Sequence, residues 1–321
     1  MVTFFALQKE NRMNASPTLS IVCPCYNEEN VVEIFLQTVV PILEKVTDTY
    51  EIIFINDGST DNTFNVLLEA KQKYPHLRVL NLSRNFGKEA ALTAGLENAY
   101  GEAMIPIDVD LQDPPELIVS FMEKWREGYD VVLAERADRS SDSLAKKLSA
   151  QFFYRIHNKI SDIFIPQNVG DYRLMSKRVV NTLKTLPENQ RYMKGLFAWA
   201  GYKTTKIPYK RHVRAAGETH FSGWKLWNFA LDGITGFSTV PLRVWMYLGL
   251  LFSSIAFFYG GFIILKTIIL GKDLPGYASL LTTVLFLGGI QLMGIGVLGE
   301  YIGRIYKEAK RRPTYVVENE Y

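Results

Sequence analysis

The sequence predicts an α/β fold built on a mostly parallel sheet, followed by a hairpin of two membrane-spanning helices. Three observations lead there. Short apolar runs recur at 19–23, 50–55, 78–82 and 103–107, and helical periodicity separates each from the next. Each run ends in a polar loop, the end at which open α/β sheets bind ligands. Finally, 22 residues at 244–265 and 26 at 274–299 contain no charged side chain. At about 1.5 Å per residue, each is long enough to cross a bilayer core.

At 321 residues the chain has room for one large domain or two ordinary ones. A hydrophobic share of 48% is near the globular average, but it hides an asymmetry: 1–240 reads as soluble sequence and 244–299 does not. A formal charge of +3 is too small to imply a nucleic-acid partner, and none is expected. Cys23 and Cys25 flank Pro24, too close for ordinary disulfide geometry, and no other cysteine could complete a zinc site. They read as reduced residues at a strand end. The apolar patch at 4–7 has no basic leader or cleavage pattern, so no signal peptide is expected. Met13 offers an alternative start, and 1–17 is set apart as an N-terminal extension.

The first strand, 19–23, stops at Pro24 and leads through Tyr26-Asn27-Glu28-Glu29 into a helix marked by Val31, Ile34, Phe35, Thr38 and Val39. The second, 50–55, leads through Asn56-Asp57-Gly58-Ser59-Thr60-Asp61, a loop and helix cap, into a helix over 64–74. The third, 78–82, passes through Ser83-Arg84-Asn85-Phe86-Gly87-Lys88 into an Ala-rich helix, 89–100. The fourth, 103–107, delivers Asp108-Val109-Asp110-Leu111-Gln112-Asp113-Pro114-Pro115. A helix over 116–128 and a fifth strand over 130–134 follow. There is no G-x-G-x-x-G after the first strand and no G-x-x-x-x-G-K-[ST] anywhere, which disfavours a dinucleotide fold and a P-loop NTPase.

Asp108 and Asp110 are two apart, so on a persisting strand they point to one side. Two oxygens there suit a hard divalent cation that keeps positions open for phosphate oxygens. Alone, the stretch reads as an acidic turn; four polar clusters converging at strand ends shift the reading to the cation. The diproline stops the ladder and sets the exit path. Asp57 could accept hydrogen bonds from a base or ribose, or form a turn before a helix cap. Lys88 could meet a phosphate or be a solvated helix-start lysine.

Pro-Cys-Tyr-Asn-Glu-Glu, Asn-Asp-Gly-Ser-Thr-Asp, Asn-Phe-Gly-Lys-Glu-Ala-Ala and Asp-Val-Asp-Leu-Gln-Asp-Pro-Pro stand in the order and spacing of the family 2 glycosyltransferases with a GT-A (Rossmann-like) fold. More narrowly, from about residue 17 onward the chain resembles the polyprenyl-phosphate glycosyltransferases, the group of bactoprenol glucosyltransferase and dolichyl-phosphate mannose synthase. The resemblance implies that Pro24, Tyr26, Glu28 and Asp57 line the nucleotide pocket, with Lys88 a candidate beside them. It implies that Asp108 meets the nucleotide, and that Asp110 and Gln112, with Asp108 adjacent, hold Mg²⁺ or Mn²⁺ on the diphosphate. Val109 stands where many relatives have Ala; only its backbone should face the nucleotide.

Beyond the fifth strand lies a polar, basic segment, 135–147, that includes Arg136 and Lys146. Leu148, Phe152, Phe153, Ile156 and Ile160 then form an apolar stripe at helical spacing, suited to a membrane interface or to packing on the sheet. Residues 168–175 read as a strand with Asp171 and Arg173 on one face. The resemblance implies that Asp171 is nearest the reaction centre; the residues alone would allow it to be the ion-pair partner of Arg173. The basic loop 209–221 follows, where the family has Arg-x-x-Gly-x-Ser-Lys. Arg214 and Gly217 match, but His220 replaces the lysine, and a neutral imidazole grips phosphate less well than an ammonium. Arg136, Lys146, Arg173, Arg211, Arg214 and His220 are the candidates to hold an acceptor phosphate.

The charges outside the apolar runs orient the hairpin. Arg243 precedes it and Arg304, Lys307, Lys310, Arg311 and Arg312 follow, so both ends are expected in the cytoplasm of a bacterial inner membrane. The expected organisation is a catalytic domain over 18–222, an interfacial helix over 223–243, membrane helices over 244–270 and 274–303, and a basic tail over 304–321. Trp224, Trp227, Trp245 and Tyr247 suit the interface. Gly288, Gly289, Gly294, Gly296 and Gly299 offer close-packing surfaces and suggest a homo-oligomer through the hairpin. Glu300 and Arg304 are spaced to pair on one helix.

The expected activity is inverting, metal-dependent transfer of a sugar to polyprenyl (undecaprenyl) phosphate, with Asp110 and Asp171 as the catalytic carboxylates. The product would be a lipid-linked sugar for a cell-envelope glycan such as O-antigen lipopolysaccharide. UDP-glucose is the first choice of donor, because 85–92 resembles the bactoprenol glucosyltransferases; UDP-N-acetylglucosamine and modified arabinose donors are the alternatives. A processive polysaccharide synthase would add Q-x-x-R-W and more spans, and a silent nucleotide-sugar scaffold is opposed by the intact acidic set.

Overall fold

The computed structural model describes residues 17–137, 158–161, 163–166, 168–189, 191–210, 235–271 and 276–321. Its centre is an eight-stranded sheet: β1 (Leu19–Cys25), β2 (Tyr50–Asn56), β3 (Leu77–Leu82), β4 (Ala103–Pro106), β5 (Val131–Arg136), β6 (Val169–Ser176), β7 (Thr204–Tyr209) and β8 (Val317–Glu320). The order across the sheet is β7-β5-β6-β4-β1-β2-β3-β8. β1 pairs in parallel with both β2 and β4, so the order of chain entry reverses between β1 and β4. That reversal opens a crevice at the carboxyl ends of the two strands. The loops after Cys25 and Ile107 flank it.

Helices cover both faces, as strands buried on both sides require. α1 (Val32–Val46), α2 (Thr63–Lys73) and α4 (Leu117–Arg126) pack on one face, where Phe35, Phe54 and Phe121 are fully buried. α3 (Lys88–Asn98), α5 (Lys177–Thr185) and α6 (Met193–Trp199) pack on the other. α1 buries Val32, Phe35, Leu36, Val39 and Leu43, one stripe at helical spacing. α3 instead buries every residue from Ala90 to Leu96, which is why its sequence is small and apolar on all sides. The expected strands and helices up to 128 are all present, with ends shifted by a few residues.

Two features of the sheet had no signature in the sequence. β6 runs antiparallel to both β4 and β5, so its beginning, not its end, lies beside the carboxyl end of β4. This is what brings Asp171 to the crevice. β8 pairs antiparallel with β3, so the segment expected to be a plain basic tail ends as an edge strand of the sheet. Arg78 joins the two through ion pairs to Glu320 and to buried Glu51.

The hairpin consists of α7 (Val240–Leu270) and α8 (Tyr277–Ala309), both long and apolar enough to cross a membrane and not buried inside the protein. A helix that is apolar all round and exposed to its surroundings is at home in lipid. Contacts seven residues apart on the α7 side, at Ser238, Trp245 and Phe252, meet Tyr301, Gly294 and Phe286 of α8. Gly294 is therefore used within the hairpin, whereas a Cβ on Gly288, Gly289, Gly296 or Gly299 would meet nothing within 4 Å among the described residues. Glu300 and Arg304 pair as expected, at 2.8 Å. Both hairpin ends are tied to the sheet domain: the Ser238 hydroxyl donates to the Ile160 carbonyl at 2.6 Å, and the Glu308 carboxylate accepts the Asn189 amide at 3.0 Å. Trp224, Trp227, the expected interfacial helix up to residue 234 and the stripe from 148 to 157 lie outside the described residues.

Candidate active site

The first two loops are stitched together. Asn27 adopts φ 57°, a left-handed conformation that asparagine tolerates, and its amide donates to Ser59 Oγ at 3.1 Å. The Thr60 amide donates to Asn27 Oδ1 at 2.8 Å and the Glu28 amide to Thr63 Oγ1 at 2.8 Å. Tyr26 and Glu28 therefore stand on a rigid ledge, with the Tyr26 ring exposed. Pro24 lies within β1, paired with Ile55. Cys23 and Cys25 are free and buried, and burial pushes both thiols up, so they have no reactive character.

Asp57 organises the third loop. Its carboxylate accepts the amides of Phe86 at 2.7 Å and Gly87 at 2.9 Å, which places the start of α3. Burial nevertheless raises its pKa, the two amide bonds only partly offsetting the desolvation. Gly58 completes the clamp: φ is 61°, and a Cβ would lie 2.4 Å from the backbone of Arg84 and Asn85. No side chain fits there.

In the acidic stretch, Leu111 takes φ 55°, a costly conformation for a bulky residue and a sign of a turn held by its surroundings. Asp110 is 8% exposed and its Oδ1 accepts the Gln112 amide at 3.1 Å, so both side chains leave one tight turn. The rest of the turn is tied to the sheet. The Tyr209 hydroxyl donates to Asp113, Arg136 Nε donates to the Tyr209 oxygen at 3.3 Å, and the Tyr172 hydroxyl donates to the Pro114 carbonyl at 2.9 Å. Burial, then the Asp113 charge, pushes the Tyr209 phenol up to about 12, so it remains a donor. Asp113 thus has a structural role, and Arg136 reaches the same network.

Lys88 joins the two sides of the crevice. Its Nζ lies 2.7 Å from Asp108 Oδ2 and 3.4 Å from Asp171 Oδ2. Burial would depress its pKa, but the Asp108 and Asp171 charges outweigh it and the ammonium is held protonated. Burial would raise Asp171, yet Lys88, Lys194 and Arg173 hold its carboxyl below the usual range. Asp171 Oδ1 is buried and has no hydrogen-bond partner among the described residues. An ionised carboxylate with an open acceptor oxygen suits a substrate hydroxyl or a developing positive charge. Arg173 lies buried next to it, its guanidinium 4.2 Å from the Phe197 ring centroid.

The structure therefore brings Tyr26, Glu28, Asp57, Lys88, Asp108, Asp110, Gln112 and Asp171 to one edge of the sheet, with Arg136 and Arg173 bordering it. Lys146, Arg211, Arg214 and His220 lie outside the described residues. Among the described residues no three His, Cys, Asp or Glu side chains form a metal cluster. Asp108, Asp110 and Gln112 make a sparser oxygen set, of a kind that suits a cation completing its shell with phosphate oxygens. Sequence reasoning missed Glu89 and Lys194. Glu89 Oε2 accepts the Met193 amide at 3.3 Å, and burial, then the Asp171 charge, raises its carboxyl to about 7. Its place directly after Lys88 was the available signal.

Comparison with known proteins agrees with this architecture. The model described as glycosyl transferase family 2 matches residues 20–184, and the GtrB C-terminal hairpin matches 240–305. A bactoprenol glucosyl transferase of Shigella phage SfV is 53% identical, covering 94% of this chain and 98% of its own. A prophage bactoprenol glucosyl transferase homolog of Escherichia coli K12 is 53% identical over the same shares. An uncharacterized glycosyltransferase of Synechocystis is 52% identical, covering 94% and 95%. A solved mannosyltransferase from Pyrobaculum calidifontis covers 96% of this chain and 94% of its own, with a TM-score of 0.48 at 15% identity, too distant to bear on chemistry. With its family model spanning the sheet and curated relatives sharing half their residues along nearly the whole chain, the protein belongs to glycosyltransferase family 2 and carries the GtrB-type C-terminal hairpin.

Proposed function

We propose that this protein transfers glucose from UDP-glucose to a polyprenyl phosphate, bactoprenol phosphate, at the cytoplasmic face of a bacterial inner membrane. The observation that carries the reading is the joining of an acid-lined crevice to a membrane hairpin, in a chain 53% identical to a bactoprenol glucosyl transferase along 94% of its length. A soluble sugar donor and a lipid acceptor need both parts.

Pro24, Tyr26 and Glu28 bind the nucleotide, on a ledge and loop frame that Asp57 keeps rigid. Asp110 and Gln112, with Asp108 adjacent, would hold Mg²⁺ or Mn²⁺, whose charge would offset that of the departing diphosphate. Lys88 supplies a further fixed positive charge there, released from Asp108 when the donor binds. The acceptor phosphate is already anionic, so positioning supplies more of the rate than proton abstraction. Asp171, ionised and with an open oxygen, orients the acceptor or stabilises positive charge at the anomeric carbon. In-line attack inverts that centre. Arg136 and Arg173, with Lys146, Arg211, Arg214 and His220, hold the acceptor phosphate.

Both hairpin ends lie on the sheet's side and basic residues flank them, which supports a cytoplasmic catalytic domain. The open faces of Gly288, Gly289, Gly296 and Gly299 support self-association in the membrane. The test is a donor screen. Purified full-length protein receives Mg²⁺ or Mn²⁺, polyprenyl phosphate and each of several nucleotide sugars, and the lipid product is weighed by mass spectrometry. A hexose added from UDP-glucose is expected. Preference for UDP-N-acetylglucosamine or an arabinose donor would reassign the sugar, and no lipid product from any donor would end the transferase reading.

A further inference from the structure

Between the strands β5, β6 and β7 and the helix α6 lies a cavity of about 180 Å³, which Arg173, two residues along β6 from Asp171, helps to line. Ile165, Pro166, Val169, Phe197 and Ala198 supply its apolar lining, and Phe164 at its rim is 71% exposed. Two cations also line it: Arg173, on the same strand face as Asp171, and Lys194, on the first turn of α6. The charges of both act on Asp171. The cavity thus places positive charge beside the reaction centre and apolar surface behind it.

The same wall leads to the membrane. α6 packs on Phe237, three residues before α7 begins: a Cβ on Gly195 would lie 2.4 Å from the Phe237 ring, and Tyr192 meets that ring at 6.1 Å. Ser161 Oγ donates to the Phe237 carbonyl at 3.2 Å, and Ser238 Oγ donates to the Ile160 carbonyl at 2.6 Å. The segment that carries Phe164, Ile165 and Pro166 is therefore pinned to the root of the hairpin. An anionic head with an apolar chain fits this order of surfaces, and a nucleotide or a free sugar does not.

We propose that this cavity is the subsite for the first prenyl unit of the acceptor lipid, and that Lys194 holds the acceptor's phosphate at its mouth. The proposal rests on the polyprenyl-phosphate reading and gives it a place and a specificity-determining wall. Ala198→Phe would fill the cavity without adding charge, and Lys194→Met would remove the phosphate contact while keeping an unbranched side chain of similar length in the wall.

The experiment compares kcat/KM for a ten-carbon prenyl phosphate with that for methyl phosphate, in full-length protein with UDP-glucose, alongside UDP affinity. Wild type is expected to favour the prenyl phosphate strongly. Ala198→Phe should reduce that preference at least tenfold with UDP affinity unchanged. Because the readout is a ratio of two acceptors, a general loss of folded protein does not move it. Lys194→Met should raise KM about tenfold for both acceptors and leave their ratio alone, with Lys194→Arg restoring most of the loss. An unchanged ratio in Ala198→Phe, or a rise in KM for UDP-glucose instead of the acceptor, would overturn the subsite. Wild-type protein that glucosylates neither acceptor nor full-length polyprenyl phosphate would overturn the transferase reading itself, and the subsite with it.

Discussion

Lys88 Nζ lies 2.7 Å from Asp108 Oδ2, so a lysine at the start of α3 neutralises a carboxylate at the end of β4. On the proposed reading the donor's diphosphate enters here, where Lys88 would serve as its counter-charge.

Lys88→Met should therefore weaken donor binding. A charge-assisted hydrogen bond is worth about 1.5–3 kcal/mol, so KM for UDP-glucose should rise roughly 10- to 100-fold. The same substitution removes a charge that holds the Asp171 carboxyl low, so the acid limb of the activity profile should move to higher pH. A pH–rate profile with unchanged acid limb would disconnect Lys88 from Asp171.

Asp110→Ala should abolish turnover while leaving folding and membrane insertion intact, because the turn that carries it is also held by Tyr172 on Pro114 and Tyr209 on Asp113. Chelation of divalent cations should likewise stop turnover, with Mg²⁺ or Mn²⁺ restoring it. Retained activity in either experiment would remove the metal role assigned to this turn.

Glu89 predicts a pH effect on stability. Burial, then the Asp171 charge, raises its carboxyl to about 7, against about 4.3 in an unfolded chain. The folded state then keeps a proton that the unfolded state gives up, so this group's contribution is full below about 4.3 and is lost as pH rises through about 7. In Glu89→Gln the fall in apparent Tm across that window should flatten, while the amide oxygen can still accept the Met193 N–H. An identical slope in the variant would refute the assignment.

Tyr209→Phe removes the hydroxyl that bonds to buried Asp113. A cost of about 2 kcal/mol follows for a buried hydrogen bond to a charged partner. In a domain of this size that is about 4–8 °C in Tm. A shift under 1 °C would mean that the turn is held from elsewhere.

The alternation of apolar runs with helical periodicity determined the central sheet and its helices, because those patterns are local and repeat every two or every 3.6 residues. The two uncharged runs determined the hairpin in the same way. The acidic stretch and its companion loops were legible as a site because strand–helix alternation places loops of one kind at one end of the sheet. Only tertiary structure decided that β6 runs antiparallel, since pairing direction leaves no mark on a single strand's sequence; Asp171 reaches Lys88 for that reason. It also decided that Asp57 clamps the Phe86–Gly87 amides, that Val317–Glu320 closes the sheet edge, and that Glu89 and Lys194 stand beside Asp171. Each of these joins residues distant in sequence, and contacts of that kind are set by packing and burial, not by local pattern.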